Sequence, residues 1–270
     1  MFKRALFATD FSEHSMIVLD HLKEFEDLGL EEVVVLRVIN LNRLIGVSGG
    51  INLDEYVEVC RKEAEEKLRE VVERIEGMGF RAKPVLPIPA GDPVLEIVKT
   101  AKESGSNLIL MGSRGRGLIR EILLGSTSEG VVKRAEVPVM VFKRPVEKLF
   151  GSIVVAHDLK DHSDLALKYA KFVAERKESE ITLVHVVEKG ERLAKEKLKA
   201  IEEGLLGLNF RTIVREGTPH KEILKVCEEV NATSIFIGGG IPETIAERLL
   251  GSTADAVLRY SKVPVFVAKS

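Results

Sequence analysis

The sequence predicts an α/β protein whose fold is written twice: two open five-stranded parallel sheets, each with helices on both faces. Three observations carry this. Short apolar runs alternate with amphipathic helical patterns along all 270 residues, and strands separated by helices imply parallel pairing through crossovers. The run Val33-Val34-Val35-Leu36-Arg37-Val38-Ile39 is nearly continuous and β-branched, as expected of a strand buried on both faces. The chain also repeats itself. Gly112, Gly125-Ser126-Thr127 and Val137-Pro138-Val139 have twins at Gly238, Gly251-Ser252-Thr253 and Val263-Pro264-Val265, each 126 residues on. The opening strands, Leu6-Phe7-Ala8-Thr9-Asp10 and Val154-Val155-Ala156-His157-Asp158, match at 148. The second copy is thus shorter by the difference of 148 and 126, or 22 residues, lost where the first carries Leu41 to Asp54 and a longer helix. Two domains are expected, 1–146 and 147–270, joined by the charged stretch Lys143-Arg144-Pro145-Val146-Glu147-Lys148, whose proline ends strand pairing.

In the first copy Ala5 to Ala8 reads as a strand, and Ser12 opens a helix through Ile17, Leu19, Leu22 and Phe25 that Gly29 ends. Val33 to Ile39 is the second strand. Asn40 to Asn52, with Gly46, Ser48, Gly49 and Gly50, reads as a loop. Leu53 to Ile75 is a long helix with an apolar stripe at Leu53, Val57, Cys60, Ala64, Leu68 and Val71, which predicts a buried Cys60 thiol. Phe80 to Pro87 is a strand whose prolines, Pro84 and Pro87, argue for a sheet edge. Asp92 caps a helix with Pro93 at its first position. Leu108 to Met111, Ser126 to Ala135 and Val139 to Phe142 complete a β-α-β-α-β-α-β-α-β order. The second copy repeats it, with strands near 152–156, 181–187, 209–214, 234–237 and 264–268.

The composition excludes several classes. Forty Lys and Arg against 42 Asp and Glu leave a net charge of −2, so no basic footprint points to nucleic acid or to an anionic membrane surface. No apolar run approaches the ~20 residues of a membrane span, and the N-terminus reads as a strand rather than a signal peptide. Two cysteines in helical patterns, Cys60 and Cys227, fit a reduced, cytoplasmic protein. The histidines His14, His21, His157, His162 and His185 form no metal-spaced pair and read as isolated surface or core residues.

The chemistry concentrates at Met111-Gly112-Ser113-Arg114-Gly115-Arg116-Gly117, running on to Gly125-Ser126-Thr127. Gly112 and Gly115 permit positive φ and close backbone approach. Gly125 lets a ligand lie against a helix start, where partial positive charge favours an anion. Arg114 and Arg116 supply charge-assisted bonds to phosphate. Asp10 ends a strand where a carboxylate can accept from ribose hydroxyls, or can cap the first helix in competition with Ser12. Ser126 with Glu129 makes a capping box, so the stretch also serves a plain glycine turn before a capped helix. In parallel sheets the ligand crevice lies at the carboxyl ends of strands where their order reverses.

The spacing Gly112-x2-Gly115-x9-Gly125-Ser126 followed by Val137-Pro138-Val139, with Thr9-Asp10-Phe11-Ser12 and Leu36-Arg37-Val38-Ile39, resembles the signature of the universal stress protein family. The resemblance covers nearly the whole chain, twice. It implies strand order 3-2-1-4-5, a Rossmann-like adenine-nucleotide fold, and in one branch ATP, with AMP or ADP as alternatives and magnesium accompanying ATP. By position its contacts fall on Ala8, Thr9, Asp10, Val38, Met111, Gly112, Gly115, Gly125, Ser126 and Thr127. It also implies pairing through the last strands, here Val139 to Phe142 with Val265 to Val267, an internal pseudo-dimer; a homodimer of whole chains stays open.

The copies are not equivalent. Ala156, His157, Asp158, Val186, Gly238, Gly251, Ser252 and Thr253 hold their places, but Ile241 stands for Gly115, Gly240 for Arg114 and Pro242 for Arg116. A β-branched residue in a left-handed turn costs about 1–2 kcal/mol or more. An ATP-type site is therefore expected in the first copy, and a weaker one, or one limited to fewer phosphates such as AMP, in the second. The leading reading is a cytoplasmic nucleotide-binding regulator. Slow ATP hydrolysis and a purely structural pairing module are the competitors, and no catalytic residue or metal ligand is assigned. A phospho-receiver domain is rejected because the third strand ends Leu86-Pro87-Ile88-Pro89 without an aspartate.

Overall fold

A computed structural model describes residues 1–44, 53–113, 124–187, 194–239 and 250–269. The glycine loop at 46–50 and the Arg114, Gly115, Arg116 and Ile241 positions lie outside the described residues. The first half runs β1 (Arg4–Ala8), α1 (Glu13–His21), a 3-10 turn (Leu22–Phe25), β2 (Glu32–Leu36), β3 (Ile39–Asn40), a second 3-10 turn (Leu41–Leu44) and α2 (Leu53–Gly77). It continues through β4 (Arg81–Pro84), β5 (Ala90–Gly91), α3 (Pro93–Glu103), β6 (Leu108–Gly112), α4 (Ser126–Arg134) and β7 (Val139–Phe142). The second half is β8 (Ser152–Ala156), α5 (Asp161–Lys177), β9 (Glu180–Val187), α6 (Lys195–Glu203), β10 (Phe210–Glu216), α7 (Pro219–Glu229), β11 (Ser234–Gly238), α8 (Ser252–Tyr260) and β12 (Val265–Ala268).

The two five-stranded sheets join edge to edge into one, through the pairing of last strands that the resemblance implies. Ten strands pair in the order β10-β9-β8-β11-β12-β7-β6-β1-β2-β4. Each half is parallel and reads third, second, first, fourth, fifth strand, as the resemblance implies. The halves meet through an antiparallel pair, Val265 opposite Val141, Phe266 opposite Met140 and Val267 opposite Val139. Side chains alternate through the sheet as the strand period requires. From β1, Ala5 and Phe7 enter a cluster under α1, α2, α5 and α6, while Leu6 and Ala8 enter one under α3, α4, α7 and α8.

Two elements differ from expectation. The strand predicted over Val33 to Ile39 breaks: β2 ends at Leu36, and Ile39–Asn40 leave the main sheet to pair with Ala90–Gly91. The third strand is the short β4 at the sheet edge, ending at Pro84; the edge tolerates a residue without an N–H, and Val85 N–H still donates to the Val35 carbonyl at 3.0 Å. Asp92 caps α3 as predicted, accepting from the N–H groups of Val94 and Leu95.

The junction between the halves is packed on every side. Phe2 stacks on Tyr169 of α5 at 5.5 Å and meets Phe266 of β12 edge-on at 5.8 Å. On the other face a charge quartet joins α4 to α8: Glu129 to Lys133 at 2.6 Å and to Arg259 at 3.1 Å, with Asp255 to Arg259 at 3.5 Å and to Lys133 at 3.9 Å. Glu129 and Asp255 are repeat partners, as are Lys133 and Arg259, so the quartet is self-complementary about a pseudo-two-fold. The segment between the halves is held by α1 and its 3-10 turn. Glu24 accepts from the N–H groups of Leu149 (2.9 Å) and Phe150 (3.4 Å) and from His21 Nδ1 (3.0 Å), and His21 Nε2 accepts from Val146 N–H (3.3 Å).

Burial opposes ionisation of Glu24, but the bonds from His21, Leu149 and Phe150 outweigh it and hold its carboxyl below the ordinary value of 4.5. A depressed carboxyl contributes stability above its unfolded pKa and loses it as the pH falls through the folded one. Glu24→Ala should therefore cost about 2–3 kcal/mol near neutrality and much less below the ordinary glutamate range, with Glu24→Gln in between. Urea midpoints across that range check this; an equal loss at acid and neutral pH would contradict it.

Candidate functional site

The site begins with the turn that leaves β1. Phe11, three residues beyond the end of β1, takes a left-handed conformation, φ 60°, and turns the chain there. Thr9 Oγ1 accepts from Phe11 N–H at 2.9 Å and lies 2.9 Å from Ser15 Oγ. Asp10 Oδ1 accepts from Ser12 N–H at 3.1 Å and from the Ser12 hydroxyl. Ser12, not Asp10, is the cap of α1, accepting from Ser15 N–H. Asp10 is therefore fixed by the turn, on the wall of a crevice.

That crevice has a volume of about 370 Å³. It lies at the carboxyl ends of β1 and β6, which pair with each other, where the order of strands reverses. Ala8, Thr9, Asp10, Val38, Met111, Gly112 and Thr127 line it. Gly125 and Ser126 stand beside Thr127 at the start of α4 but outside the lining. The break after β2 places Val38 there: Val38 is buried between the last residue of β2 and the β3–β5 pair.

Two expectations at this end are corrected. Ser126 does not cap α4. The cap is Gly125, extended at φ −72° and ψ 146°, with no side-chain bond, and its N–H donates to Ser113 C=O at 2.8 Å. Glu129, freed from a capping box, serves the quartet with Lys133 and Arg259 instead. Gly112 is not in the left-handed region. A Cβ there would lie 2.4 Å from the His14 carbonyl oxygen, so the close packing of α1 on β6 by itself requires a glycine.

Sequence reasoning missed one wall. Tyr56, Cys60, Glu63 and Lys67 of α2 line the crevice, as do Pro93 and Ile97 of α3. The first four form one helical stripe beside the apolar stripe that was legible. Cys60 is accordingly half-buried in that wall, not a core thiol. Cys227 is buried, and burial pushes its thiol up to about 12.

The second copy rebuilds the turn with other side chains. Leu159 is left-handed at φ 60°. His157 Nδ1 accepts from Leu159 N–H at 3.0 Å and Asp158 Oδ1 from Lys160 N–H at 3.2 Å, as Thr9 and Asp10 do in the first. A crevice of about 660 Å³ follows, lined by Ala156, His157, Asp158, Val186, Gly238, Gly251, Ser252 and Thr253 together with Lys160, Ser163 and His185. It is the wider because α6, unlike α2, supplies no wall among the described residues. The histidines read as isolated are in contact: β8 and β9 are neighbours, and His185 Nδ1 lies 2.9 Å from the His157 carbonyl. Burial holds the His157 ring below the ordinary value of 6.5, against the raising influence of Asp164, 2.9 Å away, and of Asp158. Among the described residues no cluster of three or more His, Cys, Asp or Glu could hold a metal ion, and no helix is long and apolar enough to cross a membrane.

A neutral buried histidine contributes stability above its unfolded pKa that is lost as the pH falls through the lower folded one. His157→Thr, the residue of the first copy, should flatten the fall in melting temperature between about pH 7.5 and about pH 5.5. An unchanged slope would show that His157 does not titrate on unfolding.

A sequence model described as the universal stress protein family matches residues 1–143, 150–206 and 189–269. Universal stress protein MJ0577 of Methanocaldococcus jannaschii is 37% identical over 158 residues, 53% of this chain and 96% of that protein. The crystal structure of a universal stress protein from Archaeoglobus fulgidus superposes at a TM-score of 0.84 with 40% identity, covering 100% of this chain and 99% of that one. A universal stress protein solved in complex with cAMP is similar at 21% identity and a TM-score of 0.38 over 45% of this chain and 98% of that one.

Proposed function

The chain belongs to the universal stress protein family, and on that premise we propose that it is a cytoplasmic regulatory protein of the stress response that binds an adenine nucleotide, ATP in its first half. We take the domains as 1–146 and 147–270. One observation carries the reading. The first crevice gathers a fixed carboxylate, Asp10, the apolar Ala8, Val38 and Met111, and Thr127 at the start of α4, beside Gly125 and Ser126. A ribose needs an acceptor, a purine an apolar slot, and a phosphate the N–H groups of a helix start. Arg114 and Arg116 follow Gly112 in sequence and add charge-assisted donors for a triphosphate.

The second half keeps Asp158 and Gly251-Ser252-Thr253 but has neither arginine, and we assign it a weaker hold on polyphosphate. Regulation rather than turnover fits the residues: Asp10, the carboxylate assigned to the ribose, is engaged in the turn. The pairing function of the last strands is used inside the chain, so any homodimer forms through another surface.

Asp10→Asn keeps an acceptor for Ser12 and removes the charge. By calorimetry on the full chain, with and without magnesium, ATP should bind the wild type and bind Asp10→Asn about tenfold more weakly. The reading fails if the wild type binds no adenine nucleotide, or if the variant binds ATP as the wild type does.

A further inference from the structure

We propose that the edge strand β10 joins two copies of this chain, pairing antiparallel with β10 of a second molecule about a two-fold axis at Thr212. The proposal goes beyond the nucleotide reading and does not depend on it.

The outer edges of the ten-stranded sheet are the third strands of the two halves, and they are not alike. β4 is Arg81–Pro84. Arg81 and Val85 turn their N–H groups inward, to the Glu31 and Val35 carbonyls, so Pro84 stands at an outward position with no N–H to offer a further strand. β10 is longer, Phe210–Glu216, and has no proline. Ile181 N–H donates to the Asn209 carbonyl at 2.9 Å and Gly217 N–H to the Val187 carbonyl at 3.1 Å. Odd-numbered residues therefore bond inward to β9. The N–H and C=O groups of Phe210, Thr212, Val214 and Glu216 point outward, along an edge that no strand covers among the described residues. On the same face of the strand, Val214 is 38% exposed, and Thr212 Oγ1 is buried with no hydrogen-bond partner among the described residues.

A row of outward ladder groups is completed by another strand, and the side chains select a second β10 in one register. A two-fold perpendicular to the sheet keeps each face on its own side, so the axis passes through a residue. Centred on Ile213, it opposes Arg211 to Arg215 of the second copy, twice, and like charges directly opposite destabilise. Centred on Val214, it opposes Arg211 to Gly217, which lies beyond β10 at φ 144°. Centred on Thr212, it opposes Phe210 to Val214 and Arg211 to Ile213, and brings the two Thr212 hydroxyls together, a pair that hydrogen-bonds across strands. Arg211 and Arg215 leave the approach clear, because they fold back onto Glu180 at 2.9 Å and Glu229 at 2.5 Å in their own chain. The molecule already contains such a joint: Met140 faces its repeat twin Phe266 where β7 meets β12. With Pro84 closing the other edge, assembly stops at two chains.

The test is sedimentation equilibrium on the full chain. The wild type should have twice the monomer mass. Thr212→Pro removes an N–H that β9 does not use, and Val214→Lys sets a charge opposite Phe210; both should sediment as monomers, with cooperative thermal melts showing that they fold. A thiol-specific linker about 5 Å long should join Thr212→Cys into a covalent dimer and leave Glu216→Cys, remote from its copy in this register, unjoined. The proposal is overturned if the wild type is a monomer or larger than a dimer, if both Thr212→Pro and Val214→Lys remain dimers, if a different polypeptide occupies the edge, or if Thr212→Cys is not joined.

Discussion

The antiparallel joint between β7 and β12 is the interaction on which the rest of the molecule depends. Each half is a parallel sheet whose fifth strand would otherwise be an open edge of apolar residues, a liability in water. Val139, Met140, Val141, Val265, Phe266 and Val267 are all buried to within 1%, each side chain contributing about 1.5–3 kcal/mol on leaving water. Pairing them antiparallel relates the halves by a pseudo-two-fold, and this explains why Glu129, Lys133, Asp255 and Arg259 form a closed quartet. The outer edges that remain are β4, which ends at Pro84, and β10, which carries Arg211, Arg215 and Glu216.

The same joint fixes where the crevices lie. Strands within a half run one way and those of the other half run the opposite way. Their carboxyl ends therefore face opposite ends of the ten-stranded sheet, and the two crevices cannot share a ligand. What links them is structural: α4 starts at one crevice, α8 at the other, and the quartet ties the two helices side by side.

Within each crevice the backbone is held constant while side chains vary. Phe11 and Leu159 both take φ 60°, a conformation that costs a non-glycine residue about 1–2 kcal/mol. Each is held by a side-chain acceptor two residues earlier, an oxygen in Thr9 and a ring nitrogen in His157. The acidic residue between them performs the same turn in both copies. This division lets one scaffold present Arg37 beside a crevice walled by α2, and His185 beside one to which α6 adds no wall among the described residues.

The repeat, the alternation of strands and helices, the edge position of the third strand and most residues around the two crevices were legible in the sequence. They depend on local pattern: residue period, proline and glycine chemistry, and a constant offset. The misreadings at Ser126, Gly112 and Cys60 have a different origin. Ser126 fits a capping box locally, yet Glu129 is drawn to Arg259, 130 residues away, by the pseudo-two-fold. Gly112 fits a left-handed turn locally, yet it is not left-handed, and the backbone at His14 and Ser15 of α1 excludes a Cβ. Cys60 lies at the margin of an apolar stripe, and only the packing of α2 beside β2 turns that margin into the wall of a crevice. The contact of His157 with His185 likewise needs β8 and β9 side by side. By itself the sequence determined the repeat and the main strands and helices of each half, because those follow from short-range chemistry. Which residues face each other was decided by the tertiary structure, because strand neighbours and a two-fold joint bring together positions that no spacing along the chain relates.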